Sequence, residues 1–175
     1  MKKLIVTMVV LAGLCVAGCA VNQPIQRVPY PVEEYARLPK IGTGSATVRG
    51  QGFLKTMIGE VRYAAGNQVF LTPVTSYSTQ WYDVTGNWQL DYFHQYWPKF
   101  EPENSDPRIQ DYKAVTTADG EGRFEFKNVP AGEYYLGTDV VWYVPQQYGS
   151  MAQGGLITKR ITVEEGKEYN IILTR

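Results

Sequence analysis

Thr116 to Val144 reads TTADGEGRFEFKNVPAGEYYLGTDVVWYV, and its alternation decides the fold class. Phe124 and Phe126 alternate with Arg123, Glu125 and Lys127, which puts both rings on one sheet face. Upstream, Asp119-Gly120 and Gly122 tolerate a tight turn. Downstream, Pro130-Ala131-Gly132 makes another, after which Tyr134, Leu136, Val140 and Trp142 share a face. The stretch predicts two strands joined by a short turn, with the phenylalanine rings packed across a core against the second strand's apolar face. It predicts antiparallel sheet and contains no catalytic or cofactor motif.

Working outward, Ser45 to Gly52 predicts a first strand with Ala46 and Val48 on one face, and Gly59 to Tyr63 a short second one. Ala65-Gly66-Asn67 is a turn signal, followed by a strand from Gln68 to Val74 with Val69 and Leu71 facing together. Pro73 belongs at that strand's end or on an edge, because it has no N–H to donate. Pro145 to Gly155 is polar and glycine-rich and predicts a long surface loop. Leu156 to Val163 predicts a strand, Glu165-Gly166-Lys167 a turn, and Tyr169 to Thr174 a last strand with Tyr169, Ile171 and Leu173 on one face. About seven short strands divided by Gly and Pro turns predict an all-β domain over 45–175, a seven-stranded antiparallel Greek-key sandwich.

The 175 residues hold 17 Lys and Arg against 17 Asp and Glu, interspersed without a basic block, so nothing in the charge pattern suits nucleic acid. Met1-Lys2-Lys3, apolar Leu4 to Leu14 and small residues before Cys19 predict an export signal over 1–18, too short and wrongly flanked to span a membrane. Its end resembles the lipobox of bacterial lipoproteins; an ordinary signal peptide that contains a cysteine is the alternative. The resemblance implies that Cys19 becomes the acylated first residue of the mature chain. Ala20 in place of aspartate then implies the outer membrane, with the domain facing the periplasm. Buried acyl methylenes contribute roughly 0.8 kcal/mol each, so several chains anchor stably. Cys15 would leave with the signal and Cys19 would carry lipid, which removes disulfides and thiol chemistry from the mature chain. Residues 19–44, with Pro24, Pro29, Pro31 and Pro39, predict an extended tether. Within it, Val32 to Leu38 suits one helical turn against a folded unit that begins near Tyr35.

Residues 75–110 break the strand pattern and form an insertion. Tyr77, Trp81, Val84, Trp88, Tyr92 and Tyr96 recur at helical spacing, but Gly86-Asn87 interrupts them, so two shorter helices or turns are predicted. Pro98 to Pro107 is loop by composition. The aromatic content exceeds what a core needs, and two readings follow. The stripe covers an open face or end of the sandwich, or overflow residues Tyr82, Phe93 and Trp97 form a platform for sugar rings or for an apolar element of a partner protein. The candidate surface is Trp81, Tyr82, Trp88, Tyr92, Phe93 and Trp97. Gln80, Asn87, Gln89 and Gln95 would supply hydrogen bonds, with Tyr143, Gln146, Gln147 and Tyr148 as a rim.

Catalytic and metal chemistry find little support. His94 is the single histidine, and none of Ser76, Ser78, Ser105 or Ser150 sits in a nucleophile elbow. One histidine without thiolates makes a poor zinc site. Asp119 and Glu121 lack the alternating oxygen ligands of a calcium loop, and Asp-Gly is what the turn itself requires. Glu101, Glu103 and Asp106 read as a solvated loop. No enzyme activity, metal or cofactor is expected.

Val69-Phe70-Leu71-Thr72-Pro73, followed by the segment from Thr116 to Leu136, resembles the carboxypeptidase regulatory-like group of domains. In that group a strand precedes a T-x-x-D-G-x-F-x-F-x-x-V/I-P-x-G-x-Y signature. The likeness covers Gly59 to Leu136, reaches loosely to Leu173 and is broken by the insertion; Gly122 lengthens the turn slightly. It implies a transthyretin-like (prealbumin-like) topology and a structural or binding module without its own active site, and it names no ligand. The expectation is an outer-membrane lipoprotein that acts as a non-enzymatic structural or protein-interaction module with an envelope protein partner. The alternative is binding of glycan or peptidoglycan fragments through exposed aromatics of the insertion.

Overall fold

The computed structural model describes residues 26–28, 31–85, 89–90, 100–102 and 107–175. In chain order its elements are β1 (Gln26–Val28), α1 (Val32–Ala36), β2 (Ala46–Lys55), β3 (Val61–Tyr63), β4 (Gln68–Pro73), α2 (Ser76–Thr85), β5 (Gln89–Leu90) and β6 (Phe100–Pro102). A 3-10 turn (Pro107–Tyr112) follows, then β7 (Ala114–Thr117), β8 (Arg123–Val129), β9 (Gly132–Gln146), β10 (Gly149–Val163) and β11 (Glu168–Leu173). One sheet runs β5-β10-β9-β4-β7, and the other joins β11, β2, β3 and β8 around β2. β1 and β6 form a small parallel pair of their own.

The two strands of the deciding stretch lie in facing sheets. β8 pairs with β2, whereas β9 pairs with β4 and β10, so Pro130-Ala131 carries the chain from one layer to the other. Phe124 and Phe126 point into the space between the layers and meet there, ring centroids 6.1 Å apart. Val48, Val69, Leu71, Leu136, Val140, Ile157, Val163 and Leu173 complete a continuous core. Each such side chain contributes roughly 1.5–3 kcal/mol on burial, which is the sandwich's main support. Thr138 is also fully buried, and its hydroxyl donates to the Gln68 carbonyl at 2.8 Å, so no polar group there is left dry. Trp142 and Tyr169 pack half-buried at the margin.

Two glycines, one in the turn before β8 and one within β10, hold backbone that other residues would strain. At Gly122, φ is +74° and a Cβ would lie 2.5 Å from the Gly52 carbonyl oxygen. At Gly154, φ is +99° and a Cβ would meet the Val140 oxygen at 2.0 Å. Asp119 closes the turn before β8 by accepting the N–H groups of Glu121 (2.8 Å) and Arg123 (2.9 Å). That is the turn role expected of it.

The all-β sandwich is as expected, with four differences in detail. First, β2 and β11 are parallel. β10 reaches the end of its sheet beside the start of β2 and the chain crosses there, so β11 must run back in the direction of β2. Glu165 fixes this corner: its carboxylate accepts from the Ser45 N–H and hydroxyl and from the Ala131 N–H, and these bonds hold its pKa below the usual range.

Second, the long surface loop expected over Pro145 to Gly155 is strand. β9 and β10 pair without a break from Gly132↔Val163 to Gln146↔Gly149, turning at Gln147-Tyr148. Polar composition does not oppose a strand whose backbone finds its ladder partner in the neighbouring strand. Third, among the described residues nine strands join the two sheets where about seven were expected, because β5 adds an edge and the short β7 pairs with β4.

Fourth, packing on the domain begins with the helical turn expected at Val32 to Leu38 but continues through the residues up to Gly44, placed in the tether by composition. Tyr35 is buried with its ring 5.7 Å from that of Tyr112, the Ile41 N–H donates to the Asp111 carbonyl, and Lys40 pairs with Asp111 at 2.8 Å. The folded unit therefore includes the helical turn around Tyr35. No helix among the described residues is long and apolar enough to cross a membrane.

Candidate functional site

Helix α2 lies over the outer face of the five-stranded sheet, and the way it is seated creates the site. Thr75 caps it: its hydroxyl accepts the Ser78 N–H at 3.1 Å, while Ser78 Oγ accepts the Thr75 N–H and donates to the Pro73 carbonyl, each at 2.8 Å. Glu34 of α1 adds a second clamp, its carboxylate accepting the Ser76 N–H at 2.8 Å and the Ser76 hydroxyl at 2.6 Å. The helix ends at Thr85, ahead of the Gly86-Asn87 signal.

The face that packs is Thr75, Ser78 and Tyr82, all buried. These positions follow helical spacing as well as the aromatic stripe does, but two of them carry small hydroxyls. Small side chains let the helix approach the end of β4, and the ring of Tyr82 then stacks on Tyr135 of β9 at 4.3 Å and 21°. Of the two readings of the aromatic insertion, the platform would leave Tyr82 exposed, and the structure buries that ring to 9% exposure. Trp81 stands edge-on to it at 4.7 Å and 79°, and with Tyr77 it remains half-buried. Burial pushes the Tyr82 phenol up to about 12.

With α2 seated there, a cleft of about 460 Å³ opens between the helix, the sheet face and the Gln110–Val115 segment. Tyr77, Ser78, Trp81 and Tyr82 line it from α2, and Phe70, Thr72, Asp139 and Leu156 from β4, β9 and β10. Gln110, Lys113, Ala114 and Val115 form the opposite lip. The walls are mainly apolar and aromatic with a few convergent polar groups, the make-up of a small-ligand site. Burial lowers the Lys113 pKa and raises that of Asp139. Gln110, Lys113 and Asp139 were not among the candidates; they lie in three separate parts of the pattern, and no local signal joins them.

Of the candidate surface, Trp81 and Tyr82 line this cleft, whereas Trp88, Tyr92, Phe93 and Trp97 lie outside the described residues, as do Asn87, His94, Gln95 and Cys19. Gln80 bonds its own helix, donating to the Ser76 carbonyl at 3.1 Å. Gln89 belongs to β5, opposite Gly155. Tyr143, Gln146, Gln147 and Tyr148 are exposed on the β9–β10 hairpin and do not line the cleft. Among the described residues no group of His, Cys, Asp and Glu is placed to hold a metal ion.

Fold and cleft together define a transthyretin-like β-sandwich with a helix-covered concave site on one sheet. The chain is similar to a crystal structure of a protein from Pseudomonas aeruginosa provisionally described as carbohydrate binding, with a TM-score of 0.70 and 29% identity, over 83% of this chain and 97% of that one. No family model matches the chain, and no curated protein matches it.

Proposed function

We propose that this chain is a carbohydrate-binding module of the cell envelope that binds its ligand without converting it. The observation that carries the reading is the cleft beneath α2. Sugars offer C–H faces to aromatic rings and hydroxyls to side-chain carboxylates, amines and amides. Phe70, Tyr77 and Trp81 supply the first kind of surface, and Gln110, Lys113 and Asp139 the second. The similarity to the Pseudomonas aeruginosa protein supports the same reading. The carboxypeptidase regulatory-like signature fits it too, as a domain that binds or supports.

In this proposal Cys19 is acylated and holds the module to the outer membrane, facing the periplasm, with the residues ahead of β1 as the remaining tether. Replacing Cys19 with serine should release the protein into the soluble periplasmic fraction and abolish metabolic labelling with palmitate. Titration of the domain with glycan and peptidoglycan fragments should change Trp81 fluorescence and give saturable heats. Trp81→Ala should weaken the affinity read from those heats. Saturable binding that is indifferent to Trp81→Ala would place the ligand elsewhere.

A second reading, docking of an envelope protein partner, has one observation of its own. Past Thr138, β9 pairs only with β10 among the described residues, and the hairpin exposes Tyr143 (70%) and Tyr148 (92%). Photo-crosslinkers at those two positions in native envelopes should capture one discrete adduct if that hairpin is the contact.

A further inference from the structure

Lys113 and Asp139 share the cleft, and among the described residues neither side chain has a hydrogen bond or an ion pair, to each other or to any other group. Both are half-buried. Elsewhere the cations that take up partners do so in pairs open to water: Lys40 with Asp111, Arg49 with Glu125, Arg160 with Glu133. Withdrawing a charge from water without a partner is costly, so a half-buried, unpaired lysine and carboxylate facing one cavity are poised for a ligand's groups.

We infer that the ligand is an acidic saccharide, its carboxylate set against Lys113 and its ring hydroxyls donating to Asp139. This rests on the carbohydrate reading above and adds the sugar's charge and direction. Lys113 stands on the lip that leads into β7, and Asp139 on the sheet face in β9. A carboxylate at the Asp139 end would meet like charge, so the cleft admits the acid in one orientation, across the rings of Phe70 and Trp81. Lysine acts here as a point charge and does not impose the two-pronged geometry of arginine. Hydroxyls suit Asp139 because a carboxylate only accepts.

The test compares matched probes by calorimetry at low salt: oligogalacturonate, the neutral galactose oligomer made by reducing its carboxyl groups, and a cationic chitosan oligomer of equal length. Oligogalacturonate should bind roughly tenfold more tightly than the neutral oligomer, since a charge-assisted hydrogen bond is the difference between them. In Lys113→Met that ratio should collapse towards one, while Lys55→Met, an exposed lysine on β2 away from the cleft, should keep it. Thermal unfolding of Lys113→Met should occur no lower than that of the native protein, because the lysine has no partner to lose; this separates loss of preference from loss of fold. Equal binding of acidic and neutral oligomers, or tighter binding of chitosan, overturns the inference and leaves the carbohydrate reading standing. Absence of binding by all three overturns the carbohydrate reading, and the inference with it.

Discussion

Tyr82 is where the stability of the fold and the shape of the cleft meet, and two substitutions there separate the contributions. Tyr82→Ala removes a ring that is 9% exposed, stacked on Tyr135 at 4.3 Å and touching Trp81 at 4.7 Å. Aromatic-to-alanine changes in closed cores cost about 3–5 kcal/mol. Because one edge of this ring borders the open cleft, where solvent can fill the space, the expected loss is at the lower end, about 3 kcal/mol. Tyr82→Phe keeps the stack and removes only the hydroxyl, so its loss should be no more than about 1 kcal/mol. Urea unfolding followed by far-UV circular dichroism reads both. In a chain of this size they correspond to falls in Tm of roughly 6–12 °C and 2–4 °C. An alanine variant within about 0.5 kcal/mol of the native protein, the ordinary scatter of surface changes, would refute the docking of α2 on the sheet. A phenylalanine variant as damaged as the alanine one would show that the hydroxyl, not the ring, seats the helix.

Further outcomes follow from the same geometry. Burial pushes the phenols of Tyr82 and Tyr134 up to about 12, whereas in the unfolded chain they ionise near their ordinary value of 10.0. Their contribution is therefore complete below pH 10 and lost between pH 10 and 12, on the order of 2 kcal/mol for each. Tyr82→Phe should shrink that alkaline loss in denaturation curves taken across this range. Lys113 acts with the opposite sign: its pKa is lowered on folding, so stability should rise slightly as pH climbs from that value to 10.5. Gly122→Ala should cost at least about 2 kcal/mol by thermal unfolding, since the side chain strains a φ of +74° and meets the Gly52 oxygen. Asp119→Ala should cost about 1–2 kcal/mol through two lost turn hydrogen bonds, and adding EDTA to the native protein should leave its Tm unchanged. A Tm lowered by EDTA would restore the calcium reading of that turn.

Alternation along Thr116 to Val144, the turns at Asp119-Gly120 and Pro130-Gly132, and the faces of β2, β4 and β11 were all legible in the chain. Inward and outward positions of a strand are set by neighbours two residues apart, and that information is local. Which layer a strand joins is not local. Phe124 and Leu136 face each other because β8 pairs with β2 and β9 with β4, choices made by partners far away in sequence. Polar residues 145–155 became strand for the same reason, since a paired backbone is indifferent to much of what its side chains are. The seating of α2 turned on Thr75 and Ser78, whose small hydroxyls allow close approach and leave no mark in a hydrophobic pattern. The cleft lay furthest from the sequence. Lys113 and Asp139 became neighbours of one cavity because sheet pairing, helix docking and the return of the chain through Pro107–Tyr112 all converge there, and convergence of that kind is a property of three dimensions.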